Sequence, residues 1–159
     1  MRKNVFTILT LLITIVTYSQ TKVGANIVYG SESDFGLGVK ASFDVSEKFK
    51  VSPSVSYFFT ESVPEVSTTM MSFDADAHYF FELKEKLSVY PLAGINVFYT
   101  SVSSSFNSVY SASSTDFGIN LGGGLNYKVS DKLTGFSEIK AMLNNGNQIV
   151  FSAGVMYSL

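Results

Sequence analysis

Gln148-Ile149-Val150-Phe151-Ser152-Ala153-Gly154-Val155-Met156-Tyr157-Ser158-Leu159 decides the fold. One parity carries Ile149, Phe151, Ala153, Val155, Tyr157 and Leu159. The other carries Val150, Ser152, Gly154, Met156 and Ser158. A period of two is a β-strand, here with one apolar face and one face of mostly small or polar residues. A strand in this position must find an edge or leave a row of unpaired backbone groups. The expectation is that it pairs antiparallel with the first strand, Lys22–Gly30, and closes a barrel.

Seven further runs share this alternation, and no segment has a convincing helical period. They are Lys22–Gly30, Asp34–Val45, Lys48–Thr60, Thr69–Leu83, Lys86–Thr100, Asp116–Val129 and Lys132–Leu143. In the cleanest, Phe35, Leu37, Val39, Ala41, Phe43 and Val45 alternate with Gly36, Gly38, Lys40, Ser42 and Asp44. These runs exceed the five or six residues usual in a soluble sheet and suit a tilted strand crossing a bilayer, which needs about 9 to 11. The connections alternate in kind. Ser46-Glu47-Lys48, Lys84-Glu85-Lys86 and Ser130-Asp131-Lys132 are short and alike, each followed by Phe or Leu. The others are Ser31–Ser33, Glu61–Thr68, Ser101–Thr115 and Asn144–Asn147, two of them long. Tight turns at one end and longer loops at the other describe an up-and-down barrel of the outer-membrane kind, with both termini at the short-turn, periplasmic end. The fold class expected is therefore all-β: an eight-stranded antiparallel up-and-down transmembrane β-barrel.

Alternation alone does not say which face points outward. The polar face consists of Gly, Ser and Asn with a few charges, whereas a water-facing surface would carry many more Lys and Glu. The apolar face places aromatics near strand ends. Tyr29, Phe35, Tyr57, Phe59, Tyr99 and Phe117 fall toward the outer end, and Phe43, Phe49, Tyr79, Phe81, Tyr127 and Tyr157 toward the periplasmic end. Aliphatic residues such as Val39, Val55, Ile95, Leu121 and Ile139 lie between. Two aromatic girdles around an aliphatic belt are what a bilayer selects. The apolar face is thus expected in lipid, so Phe151, Val155, Tyr157 and Leu159 face out while Ser152 and Gly154 face the lumen. A soluble periplasmic ligand-binding barrel of lipocalin type is the alternative; it would want disulfides or a Trp near the first strand, and the chain has neither Cys nor Trp.

Composition agrees with this reading. The chain has 159 residues, enough for one domain. Arg2, Lys3 and the apolar run Val5–Val16, followed by Thr17 and Ser19, read as a signal peptide over residues 1–19 that is cleaved to leave a barrel domain over 20–159. That mature part holds nine Lys, no Arg and thirteen acidic residues, a net charge of about −4. This argues against nucleic acid as a partner, since a phosphate-binding surface needs a basic stripe. Charged residues make up 15% of the chain, against about 25% in a typical soluble domain.

The polar face carries Lys40, Asp44, Lys50, Asp74, Asp76, His78, Glu82, Lys128, Glu138 and Lys140. Inside a narrow tube these charges must largely pair. They are expected to form a luminal ion network that fills the lumen, because eight strands leave an interior that side chains just occupy. Phe58, Phe80, Tyr90, Phe98 and Phe136, on the same face, oppose an open pore. A narrow channel for ions or small solutes is the functional alternative. Asp74, Asp76 and His78 stand in one row about 7 Å apart. An acid–base or metal site would need further ligands from across the lumen, so the expectation is a histidine satisfied by a neighbouring Asp or by Glu82. No catalytic residue, cofactor or metal is expected. The glycines Gly118, Gly122, Gly123 and Gly124 are not followed by a Lys-Ser/Thr pair or a helix, so they read as in-strand glycines rather than a phosphate loop. The Ser-rich Ser101–Thr115 segment, with Phe106 and Tyr110, reads as a surface loop or a binding loop.

Several motifs resemble the small outer-membrane β-barrels, the "porin family" of OmpA-type, OmpX-type and opacity-type proteins, in versions from Bacteroidetes-type bacteria. They are Tyr90-Pro91-Leu92-Ala93-Gly94-Ile95, Phe117–Tyr127, Ser130-Asp131-Lys132-Leu133, Glu138 and Ala153-Gly154-Val155-Met156-Tyr157. The resemblance covers nearly the whole mature chain, though Leu159 stands where the family usually has a terminal aromatic. It implies a monomer in outer-membrane lipid with a structural or surface-interaction role and no enzymatic activity. It also implies recognition by the barrel assembly machinery through Gln148–Leu159.

Overall fold

The computed structural model describes residues 21–60, 66–104 and 110–159. The signal-peptide expectation and Phe106 lie outside the described residues. Nine strands form: β1 Thr21–Gly30, β2 Asp34–Asp44, β3 Phe49–Phe58, β4 Val66–Tyr79, β5 Phe81–Lys84, β6 Leu87–Ser104, β7 Tyr110–Lys128, β8 Leu133–Leu143 and β9 Gln148–Ser158. Each pairs antiparallel with its neighbour, and β4 and β5 both pair with β6. β9 runs against β1 from Lys22↔Ser158 to Gly30↔Val150. That pairing leaves no free sheet edge and closes the barrel, as the terminal strand's need for an edge required.

β4 and β5 are one barrel strand, so the wall has eight. The partners of β4 end at His78↔Leu92 and those of β5 begin at Phe81↔Val89. The expected single run Thr69–Leu83 is interrupted by a residue on the neighbouring strand. Lys128 N donates to Lys86 O at 2.8 Å, so the even-numbered residues of β6 bond to β7 and the odd-numbered ones to β4 and β5. Pro91 is odd and has no N–H, so the carbonyl of Tyr79 opposite it receives nothing. A bulge between Glu82 and Lys84 then ends the strand.

The second departure is at the long-loop end. Pairing of β6 with β7 continues from Ser101↔Ser113 to Ser104↔Tyr110, and Val66–Thr69 adds to it through Val66↔Ser104 to Thr69↔Ser101. Most of the segment expected to be the Ser101–Thr115 loop is therefore strand. Ser and Thr runs lack apolar alternation, yet their backbones pair as well as any others. At about 3.3 Å per residue, a 10-residue strand such as β1 spans about 33 Å along its axis, and the 19 residues of β7 about 60 Å. Tilted by about 40°, β1 matches a hydrophobic band about 25 Å tall, and the β6–β7 ribbon stands about 20 Å beyond it.

The wall is apolar outside and polar inside. Ile27, Leu37, Val39, Ile95, Ile119, Leu121, Ile139 and Val155 are all exposed, and Phe117 is 76% exposed. Asn26, Lys40, Ser52, Asp74, Asp76, Asn96, Asn120 and Glu138 are buried. A soluble barrel has the reverse arrangement. The girdle aromatics line the outer wall; Phe43 and Tyr99 are half-exposed and the other ten are exposed. Tyr29–Phe35, Tyr57–Phe59 and Tyr79–Phe81 stand as ring pairs with centroids 5.0, 5.7 and 5.1 Å apart.

Candidate functional site

The closed sheet turns the polar parity of every strand into one lumen, so charges far apart in sequence meet across it. Two clusters form. In the first, Lys40 of β2 forms an ion pair with Glu138 of β8. The same carboxylate accepts the Tyr90 hydroxyl at 2.8 Å and the Ser152 hydroxyl at 3.4 Å. Lys40 also sits 4.9 Å over the Phe136 ring. In the second, Lys140 of β8 reaches Asp74 Oδ1 at 3.1 Å and Asp76 Oδ2 at 3.0 Å. The Asn120 amide donates to both acids, at 2.9 and 2.7 Å, and its oxygen accepts from Asn96 Nδ2 at 2.7 Å. Ser72 completes Asp74 at 3.0 Å. Buried charges persist only when paired and hydrogen-bonded in this way.

His78 does not bond to a neighbouring Asp or to Glu82. Its ring stacks on Tyr90, centroids 4.7 Å apart. Its Nδ1 lies 3.4 Å from the Ser52 hydroxyl and its Nε2 3.8 Å from Glu138 Oε1. Asp76, two residues away on the same face, is taken by Lys140 and Asn120. Among the described residues no group of three or more His, Asp or Glu converges as a metal site would.

The remaining polar-face charges lie toward the short-turn end. Lys50 pairs with Asp44 at 2.8 Å and lies 5.2 Å from the Phe80 ring centroid. Glu82 and Lys128 are exposed at the mouth, and Lys128 pairs with Asp131 at 3.2 Å. The register shift between Glu82 and Lys84 ends the regular strand there, and both residues line the mouth. A vestibule of about 180 Å³ opens there, with Lys22, Lys50, Lys128, Asn126, Thr134 and Phe80 among its lining. Further in, the cavity beside Lys40, Ser54, Ser56, Asp74, Glu138 and Lys140 measures about 10 Å³, at the lower limit for a single water. Phe80, Tyr90 and Leu92 form a buried apolar cluster beside His78. Phe58, Met142 and Val150 are buried toward the long-loop end.

Asn96, Asn120 and Ser152 were not distinguishable from other polar-parity residues by type alone. The available signal was register: Asn96 and Asn120 share the luminal parity of adjacent strands, as does Asp74, and Asn96 pairs with Asp74. Gly124 belongs to the same construction. A Cβ there would lie 2.7 Å from Tyr90 Cζ and Oη, so a side chain would displace the ring that donates to Glu138. Gly124→Ala is expected to cost about 1–3 kcal/mol by overpacking, read as a lower urea midpoint for unfolding from lipid vesicles.

The family model for the outer membrane protein beta-barrel domain matches residues 10–158. The chain belongs to this family. Solved structures of the same shape include Ail, the attachment invasion locus protein of Yersinia pestis, at 16% identity, covering 89% of this chain and 97% of that one with a TM-score of 0.64. The N-terminal β-barrel domain of Pseudomonas aeruginosa OprF is similar at 14% identity, with coverage of 89% and 99% and a TM-score of 0.68. Neisserial surface protein A is similar at 16% identity, with coverage of 89% and 97% and a TM-score of 0.65. At these identities the likeness concerns the fold. No curated protein matches the sequence. An outer-membrane location follows from the family and from the inside-out wall, and the apolar strands are its transmembrane segments.

Proposed function

We propose that this barrel has a structural or surface-interaction role, that its lumen is plugged by side chains, and that it catalyses no reaction. The observation that carries this is the pairing of Lys40 with Glu138 and of Lys140 with Asp74 and Asp76, together with the buried Phe80–Tyr90–Leu92 cluster, whose Tyr90 hydroxyl donates to Glu138. A conduit would have to break these ion pairs or move these rings. The β6–β7 ribbon then supplies the contact surface, projecting beyond the bilayer on the outer side, while the short turns and both mature termini are periplasmic. A monomer of the Bacteroidetes type, delivered by the assembly machinery through β9, completes the proposal; the motifs of β6 and β7 support that affiliation.

The orientation is testable because the chain has no cysteine. Ser113→Cys, on the exposed ribbon, should react with a membrane-impermeant maleimide in intact cells. Glu85→Cys, in a short turn, should react only after the outer membrane is opened. The opposite pattern would reverse the topology. A second reading, a narrow channel, is favoured by the vestibule at the short-turn end and the buried polar residues further in. Planar-bilayer recording separates the two readings.

A further inference from the structure

The wall has a defect between β2 and β3 that neither the fold nor the luminal network explains. Phe59 N donates to Phe35 O at 2.7 Å and Val45 N to Phe49 O at 2.9 Å. Odd-numbered residues of β2 and β3 are therefore the ones that exchange hydrogen bonds. Ala41 faces Pro53 in that series, so its carbonyl points at a nitrogen with no hydrogen to give. The ladder fails there, with partners running to Lys40↔Ser54 and resuming at Phe43↔Val51. The outer wall carries a shallow, open groove at the same place. A concavity of about 720 Å³ has Val23, Val39, Ala41, Pro53, Val55 and Phe73 among its lining. Pro91 interrupts the wall opposite Tyr79 in the same way, but there the Tyr79 and Phe81 rings stand beside the break.

We propose that this seam is a phospholipid site, with an acyl chain in the concavity and an ammonium head group donating to the Ala41 carbonyl. A carbonyl left unpaired in a wall surrounded by hydrocarbon has no water to bond, so a lipid donor at the broken ladder is its available partner. Ala41 lies two residues from Phe43 of one girdle, about 7 Å along the strand, within reach of a head group drawn slightly inward. The two charged residues of the lining, Lys40 and Asp74, are taken by Glu138 and Lys140 inside the barrel, and its outward side chains carry no charge, so an anionic head group would find no counter-charge. A zwitterionic ethanolamine needs none and has N–H groups to give, whereas choline has none.

The test uses the folded barrel with ¹³C-carbonyl alanine and tyrosine, in nanodiscs of phosphatidylcholine, titrated with phosphatidylethanolamine. The Ala41 carbonyl resonance should move saturably, while Tyr79 stays fixed. Pro53→Val, which restores the N–H, should abolish the response. An unmoved Ala41, equal movement of Ala41 and Tyr79, or an unchanged response in Pro53→Val would overturn the proposal. Should that variant fail to fold, the comparison of Ala41 with Tyr79 in the unaltered protein decides. The inference rests on the outer wall lying in lipid. Loss of that premise would show separately, as an electrophoretic mobility that boiling does not change.

Discussion

Replacing Lys140 by Met is expected to lower stability by about 3–5 kcal/mol, because it leaves two buried carboxylates without their cation. Lys140 is the cation shared by Asp74 and Asp76, at 3.1 and 3.0 Å. Methionine matches its length and fills its volume, so the loss reads charge rather than packing. The measurement is urea unfolding from vesicles. Adding Asp74→Asn and Asp76→Asn to the same chain should recover most of the loss, since neutral amides remove the uncompensated charge. Full additivity of the three substitutions would contradict the pairing. The Asn120 amide holds both acids from a third strand, so Asn120→Leu should act in the same direction with a smaller effect.

Ile95→Lys tests the other face. Ile95 is 63% exposed, and in water such a position would tolerate lysine with little change. In a barrel wall at mid-bilayer a lysine costs about 2–4 kcal/mol. The same substitution at Phe117, toward the long-loop end, should cost less, because penalties fall toward the interfaces. The gradient from Ile95 to Phe117 distinguishes a lipid-facing wall from a water-facing one, where no depth dependence is expected. It is read by the same urea titration in vesicles.

These two substitutions also mark what the sequence could disclose. Which side chains share a face was legible because a period of two is a local property, and which face points out was legible from the Gly, Ser and Asn of one face and the aromatic girdles of the other. The closure of β9 on β1 followed from that strand's need for an edge to pair with. Contacts across the lumen were not legible. His78 is matched with Ser52, Tyr90 and Glu138 because barrel stagger brings three other strands to it, whereas sequence spacing favoured Asp76 and Glu82. Glu82 shares luminal parity but sits where a bulge ends the strand, and Lys128 lies at the open mouth, so parity alone overcounted the enclosed charges. The breaks at Tyr79 and Ala41 depend on which neighbour each proline faces, a matter of hydrogen-bond phase between strands. The Ser-rich ribbon was hidden because apolar alternation, the signal for a strand, is absent once the strand has left the membrane.

The proposed structural or surface-interaction role depends most on the lumen being closed by its own side chains. Planar-bilayer recording of the purified, folded barrel measures this directly. Silence is predicted, both for the unaltered protein and for Phe117 or Ser113 variants outside the lumen. Steady conductance steps that change in size when Lys40 or Glu138 is replaced would contradict it and establish a channel.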